Sequence, residues 1–542
     1  MSIPAATDAY DVILIGSGMG ALTVASLLSQ LRGQRVLILE RHFKPGGFTH
    51  DFTRGRFHWD VGLHYVGDMA PGDRIRGLFD LVTRGGVTWR RMPEPFERFL
   101  YPDFSFDVYA DPARFEADLC DRFPSEVAAI RRYFRDIQQT AHAFTSVTLH
   151  DNTRIPLRWA FGARAWWNGR HLDDTTRSYL DTRFRDPLLR AVLASQWGDY
   201  GLPPAQSSFA VHSVIVNHYL RGAYYPTGGA GTIAESVQVV VEAAGGKVCV
   251  NREVTEILVE NGRAVGVRAC KRSQEKRGAA EEYRAPVIVS NAGAATTFLR
   301  LLPDSTPIPF RARLAEFMRC YPPATSVTLF VGLSGDPRRV GVHGGNVWIY
   351  SDLDHDGVFA RRREALERGR PEQVYVSFPS LKDPSAQAHT AELITFADYN
   401  QFARWKDQPW RRKDADYQDL KDRIADGLVS LVDSRLRGFA DLVEFREVAT
   451  PLTNAFFTAH EGGGIYGLSA VPERFAPANA AWRRAETPVP GLYMTGADQM
   501  VGGIVSAMMS GIMTLNALPG GVPFREAFAA ASNSHRSDAC PL

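Results

Sequence analysis

The stretch from Asp11 to Glu40, DVILIGSGMGALTVASLLSQLRGQRVLILE, decides the fold. Asp11 to Ile15 is a short β-branched run that reads as a buried parallel strand. Gly16-Ser17-Gly18-Met19-Gly20-Ala21 follows at once, in the G-x-G-x-x-A form of the dinucleotide-binding turn. Leu22, Ala25, Leu28 and Leu31 then recur every three residues, as one face of a helix would. Arg35 to Glu40 reads as the next strand, and it ends on an acid 19 residues beyond Ala21. Gly16 permits the tight turn, Gly18 lets backbone approach a pyrophosphate, and the small Ala21 lets helix and strand pack closely. The helix N-terminus offers free N–H groups and a positive dipole end to phosphates, and Glu40 can accept from ribose hydroxyls. The alternative is a plain glycine turn in some other α/β unit. The strand before, the helix after and the acid at its distance favour the nucleotide reading, but they do not separate NAD from FAD.

Working outward, the chain has 542 residues, too many for one hydrophobic core, and is expected to form two interleaved lobes. Its 45% hydrophobic and 23% charged residues are those of a globular protein, and a net charge of +2 gives no reason to expect a nucleic-acid partner. Five cysteines, none spaced as CxxC, argue against a disulfide framework or a metal site and fit a reducing compartment. The first ten residues show no secretory signal, so a cytoplasmic location is expected. Met500 to Pro523 carries no charge, but it is rich in Gly, Ser and Ala. It is expected to be a buried helix with something packed closely against it, not a membrane span.

The next stretch separates the two cofactors. Glu40-Arg41 followed by Pro45-Gly46-Gly47 resembles the continuation of the turn in the flavoprotein superfamily that includes amine oxidases and phytoene desaturases. The resemblance runs on through Phe57–Gly67 (FHWDVGLHYVG), Tyr224–Gly229 (YYPTGG), Val287–Gly293 (VIVSNAG), Phe378–Pro384, Thr450–Phe457 and Gly491–Gly511 (GLYMTGADQMVGGIVSAMMSG). The chain is identified by these motifs as a member of the retinol saturase and carotenoid isomerase branch. Phe48-Thr49 stands where bacterial carotene desaturases usually have Arg after the glycines, which moves the resemblance away from that group. It implies an α/β fold: a Rossmann-type, glutathione reductase-like FAD-binding domain interleaved with an α+β substrate-binding domain. The first would comprise 8–75, 215–300 and 485–518, and the second 76–214 and 301–484, with 519–542 a loose tail. The residues that it implies against FAD are Gly16, Ser17, Gly18, Gly20, Ala21, Glu40, Arg41, Gly46, Gly47, Phe48, Gly62, His64, Val254, Asn291, Gly496, Asp498, Gly503 and Ile504. Asp498 would hold ribityl or pyrophosphate oxygens, and the helix after Gly503 would aim its positive end at the flavin ring.

The same resemblance implies saturation or desaturation of a carbon–carbon double bond in a lipophilic polyene. A double-bond isomerase, or a desaturase or reductase of fatty acyl chains, is the alternative. His64 and Tyr65 are the candidate proton donors, with Glu461 and Tyr466 a second pair. A binding protein of the Rab GDP-dissociation-inhibitor type shares the superfamily, and the intact glycine, Glu40 and Asp498 set argues against it. Gly228–Ala234 repeats G-x-G-x-x-A but lacks the strand and the acid, so no second Rossmann site for NADPH is expected and the outside electron partner stays open. The stretch 154–172 interleaves four aromatic residues with arginines. It reads either as a peripheral membrane contact or as a lobe surface with its aromatics turned inward.

Overall fold

The computed structural model describes residues 10–152, 171–272 and 277–537. β1 (Val12–Ile15) and β2 (Val36–Leu39) are buried along their whole length and joined by α1 (Met19–Arg32). They lie in a parallel sheet of order Leu492–Met494, Val287–Ser290, β1, β2, Lys247–Cys249. The register pairs Ile15 with Leu39 on one side and Ser290 on the other, while Met494 pairs with Ser290. The strands therefore end together. The residues that follow them, Gly16, Glu40, Asn291 and Thr495, collect at one carboxyl edge, where open α/β sheets bind their ligands.

The uncharged C-terminal stretch forms the helix Ile504–Ala517, which packs across α1. A Cβ on Gly511 would sit 2.7 Å from the Gly20 carbonyl oxygen and 2.7 Å from Thr23 Cβ, so the small residue is required by helix-on-helix contact. Among the described residues no helix is long and apolar enough to cross a membrane. The segment expected to be a loose tail instead contains the helix Phe524–Ser537. Ala527 and Ala531 are buried in the core shared with the helix Arg74–Thr83, and Arg32 pairs with Glu526. The composition is small and polar, but Phe524, Ala527, Phe528 and Ala531 make one apolar helical face.

The Asn261-Gly262 turn joins the antiparallel strands Arg252–Glu260 and Arg263–Arg272 as its sequence predicts, with positive φ at both residues (51° and 76°). A seven-stranded sheet makes the second layer, in the order Val443–Ala449, Thr325–Leu333, His389–Ala397, Gln373–Ser377, Asn346–Tyr350, Glu97–Tyr101, Phe104–Val108. Its strands alternate in the two-residue period. Val327, Leu329 and Val331 pack with Leu393 and Val376 against Leu420, Ile424 and Leu428 of the helix Ala415–Arg435. Ser326, Thr328, Phe330, Ile394, Phe396 and Tyr375 point the other way and line a cavity.

Candidate active site

Two recesses share a wall. The first is a groove along the carboxyl edge of the parallel sheet, lined by Gly16, Ser17, Gly18, Glu40, Arg41, Gly46, Gly47, Val254, Asn291, Gly496, Asp498, Gly503 and Ile504. Gly20 and Ala21, expected against the cofactor, do not reach it. A Cβ on Gly20 would lie 2.7 Å from Thr495 Oγ1, and Ala21 is fully buried under the sheet. Gly18 has a further reason to be glycine: its Cβ would stand 2.5 Å from Asn291 Nδ2. Asn291 Oδ1 is buried and has no hydrogen-bond partner.

Glu40 is nearly buried. Its Oε2 accepts from Ser17 N (2.8 Å) and Ser17 Oγ (2.6 Å), and its Oε1 accepts from His42 N (2.6 Å). Burial raises its pKa, and these donors oppose that shift. Arg41 is committed elsewhere, to Glu253 (2.6 Å) and the Phe456 carbonyl. Gly46 and Gly47 have φ of 117° and 59°, and a Cβ on Gly47 would meet Gly18 Cα at 3.0 Å, so only glycine folds this loop back onto the turn. The ladder slips between Val254 and Glu256, beside the groove. Asp498 ties together the segments around the groove: Oδ1 accepts from Leu468 N (2.8 Å) and Oδ2 from Ala294 N (2.6 Å). The α1 and Ile504–Ala517 helices both begin at a glycine with no side-chain cap and no acid in the first turn. Two uncapped positive helix ends, a carboxylate, a backbone cradle and an orphaned amide oxygen fit a dinucleotide with phosphates at its middle. The repeated glycine motif does follow a short buried strand, Tyr224–Pro226, contrary to expectation, but that strand pairs antiparallel with Trp89–Arg91 outside the parallel sheet, and the loop amides Ala230 N and Gly228 N already donate to Asp60 Oδ1 (2.7 Å) and Asp383 Oδ2 (3.0 Å).

The second recess is a cavity of about 780 Å³ over the seven-stranded sheet, walled by Phe330, Trp348, Tyr375, Phe396 and Phe457. Phe48, Gly62, His42, His50 and Tyr466 line both recesses and mark where they meet. Burial, then the charge of His50, lowers the His42 pKa to about 3, and burial lowers that of His50, so the junction disfavours positive charge on both rings. Both stand within the RHFKPGGFTH run, where nothing in the sequence marks either imidazole as facing a recess. His64 reaches the cavity but not the groove, and its Nδ1 is 2.7 Å from the fully buried Glu392. Tyr65, the other expected proton donor, faces neither recess. It stacks on Tyr219 and donates its hydroxyl to Asp199 Oδ2 (2.6 Å). Asp199 does line the cavity, and nothing in SQWGDYG singles it out. Glu461 lines the groove, and Tyr466 donates to the Gly198 carbonyl (3.1 Å). The stretch 154–172 lies outside the described residues apart from His171 and Leu172.

Residues 14–81 match the family model described as an NAD(P)-binding Rossmann-like domain. The chain is 30% identical over 530 residues to the all-trans-retinol 13,14-reductase of Danio rerio, spanning 93% of this chain and 86% of that protein. It is 25% identical over 524 residues to prolycopene isomerase 1, chloroplastic, of an Oncidium hybrid cultivar, spanning 93% and 83%. Among solved structures it resembles the cyclohexylamine oxidase of Brevibacterium oxydans IH-35A with a TM-score of 0.58 at 13% identity, covering 98% of this chain and 100% of that one. That likeness shows a shared fold.

Proposed function

The chain belongs to the family of the all-trans-retinol 13,14-reductases and prolycopene isomerases, and from that premise we propose that it is an FAD-dependent oxidoreductase acting on a carbon–carbon double bond of a retinoid- or carotenoid-like polyene. The observation that carries the reading is the shared wall: a nucleotide groove opens through Phe48, Gly62 and Tyr466 into a large aromatic cavity. When bound, FAD supplies or accepts a hydride. The chain's own residues do the rest. Glu40 offers its carboxylate to a ribose, the uncapped end of α1 takes the phosphates, and the end of the Ile504–Ala517 helix favours negative charge beside it. Phe330, Trp348, Tyr375 and Phe396 hold an apolar chain and exclude water. His64 and Asp199 are polar groups in that cavity able to carry a proton to or from carbon.

A second reading, reduction or desaturation of an unsaturated fatty acyl chain, draws on the cavity's charged lining. Arg54, Arg411, Lys413 and Lys421 stand there with Glu447, a surplus of cations suited to a carboxylate. The test is to release the pigment from purified protein, identify it by chromatography, and incubate the reduced protein with retinol, a carotene and an unsaturated fatty acid. FAD and a product two hydrogens heavier than one of the polyenes are expected. A product of unchanged mass would assign isomerisation, and saturation of the fatty acid alone would assign the second reading. A colourless protein would refute both.

A further inference from the structure

One cluster beside the cavity brings two carboxyls together around a tyrosine hydroxyl. Glu97 is fully buried in the strand Glu97–Tyr101, and Asp199 lies at the cavity wall. Gln196 Nε2 (3.0 Å) and Trp348 Nε1 (3.2 Å) donate to Glu97 Oε2, while Oε1 is buried with no partner. The Tyr65 hydroxyl donates to Asp199 and also interacts with Glu97, which makes it the bridge between the two carboxyls. The other titratable groups that face Asp199 are the hydroxyls of Tyr200, Tyr219, Tyr350, Tyr375 and Tyr466, with no cation among them. Glu97 is fully buried and Asp199 partly so, the two carboxyls repel when both are charged, and the charge of Lys382 that reaches Glu97 is shared with Glu392 and Asp60. Burial, reinforced by Glu97, lifts Asp199 well above the usual carboxylate range, and burial lifts Glu97 to about 7. His64 differs in degree: its carboxylate partner Glu392 acts on the buried Lys382 more strongly than Glu97 does, and Lys382 Nζ donates to the His64 carbonyl (2.8 Å).

Asp199 is also well placed. The preceding carbonyl, that of Gly198, accepts from Tyr466, which walls both groove and cavity. Resting on the double-bond chemistry proposed above, we propose that Asp199 is the acid that protonates the substrate and that Glu97 restores its proton through the Tyr65 hydroxyl. In the reductive direction the π bond would break, one carbon would take the hydride that a bound reduced flavin supplies, and its neighbour would take the proton of the Asp199 carboxyl. The resulting carboxylate recovers a proton from Tyr65, which takes one from Glu97, and Glu97 is recharged from solvent between turnovers. Each further turnover would need a two-electron reductant from outside the chain. Asp199 is then a catalytic residue, and Tyr65 and Glu97 are positioning residues that act through it.

The test pairs infrared spectroscopy of flavin-free protein with polyene-driven reoxidation of the reduced holoprotein, in wild type, Asp199→Asn and Tyr65→Phe. Beside the neutral-carboxyl signal that Glu97 and Asp60 leave in both proteins, a neutral-carboxyl band that Asp199→Asn lacks is expected in wild type at pH 7. Asp199→Asn should bind flavin normally, melt no lower than wild type, and reoxidise about 10²-fold or more slowly. Tyr65→Phe should keep the first turnover and slow later ones, a split that a merely structural role would not produce. An Asp199→Asn variant that reoxidises at the wild-type rate, or a wild-type protein without the band, would overturn the proposal. If wild type reduces no alkene, the functional reading fails, and the infrared arm still decides whether Asp199 is a loaded acid.

Discussion

Glu40→Ala and Asp498→Ala should fail in different ways. Truncating Glu40 removes the acceptor of two backbone N–H groups, those of Ser17 and His42. Both residues stand at the groove wall, where water can replace the carboxylate, so the folding cost is expected near the low end of about 1–3 kcal/mol per orphaned donor. Flavin affinity should suffer more. Two charge-assisted hydrogen bonds at about 1.5–3 kcal/mol each amount to a Kd weakened roughly 10²- to 10⁴-fold. Truncating Asp498 orphans the amides of Leu468, which lines the groove, and Ala294, which does not and is out of reach of its water, so about 1–3 kcal/mol more stability should go along with the flavin. The assays are FAD titration of the flavin-free variants and urea unfolding in the absence of flavin. Glu40→Ala should unfold close to wild type yet bind FAD poorly, and Asp498→Ala should show a lower urea midpoint as well. A Glu40→Ala protein that keeps stoichiometric FAD at unchanged affinity would refute the assignment of the groove.

Further expectations concern packing and pH. Gly511→Val would drive its side chain into the Gly20 carbonyl and Thr23 of α1, costing about 1–3 kcal/mol or more, read by urea unfolding. His212 is buried between the Tyr133 (2.9 Å) and Tyr200 (3.1 Å) hydroxyls, and burial lowers its pKa to about 3. The unfolded chain therefore binds the extra proton first, and stability should fall as pH drops below about 6.5, by roughly 2 kcal/mol at pH 5 from this residue. His212→Gln should flatten that acid limb of the stability profile. Asp60 acts in the opposite sense. Burial, then the charge of Glu392, raises its pKa to about 7, so its contribution declines as pH rises from about 4 to 7, and Asp60→Asn should remove that decline in urea titrations across this range.

What could be read from the sequence was local. β1, the glycine turn, α1, β2 and Glu40 lie within thirty consecutive residues, and their spacing alone places the acid beside the turn. The Asn261-Gly262 hairpin was legible for the same reason, since two residues determine the turn. The cavity was not, because its walls come from strands far apart in the chain. The alternation of TSVTLFVGL says that one face is buried, without saying whether a helix or a substrate covers the other. Tyr65 shows the limit of motif reasoning: the motif brings the residue to the site region, but side-chain direction turns it onto Asp199, whose own neighbours give no signal. The small residues of Met500–Pro523 predict a helix with something packed closely against it. Gly502, Gly503, Ile504 and Ala507 do line the groove, but Gly511 makes room for α1.

The most direct measurement of the central claim is the visible spectrum of the reduced protein in an anaerobic cuvette as a retinoid or carotenoid is added. The account predicts that the oxidised flavin band returns in proportion to the polyene consumed, with one double bond lost per flavin. A pigment that stays reduced while the polyene is recovered with all its double bonds, or a protein that binds no flavin, would contradict it.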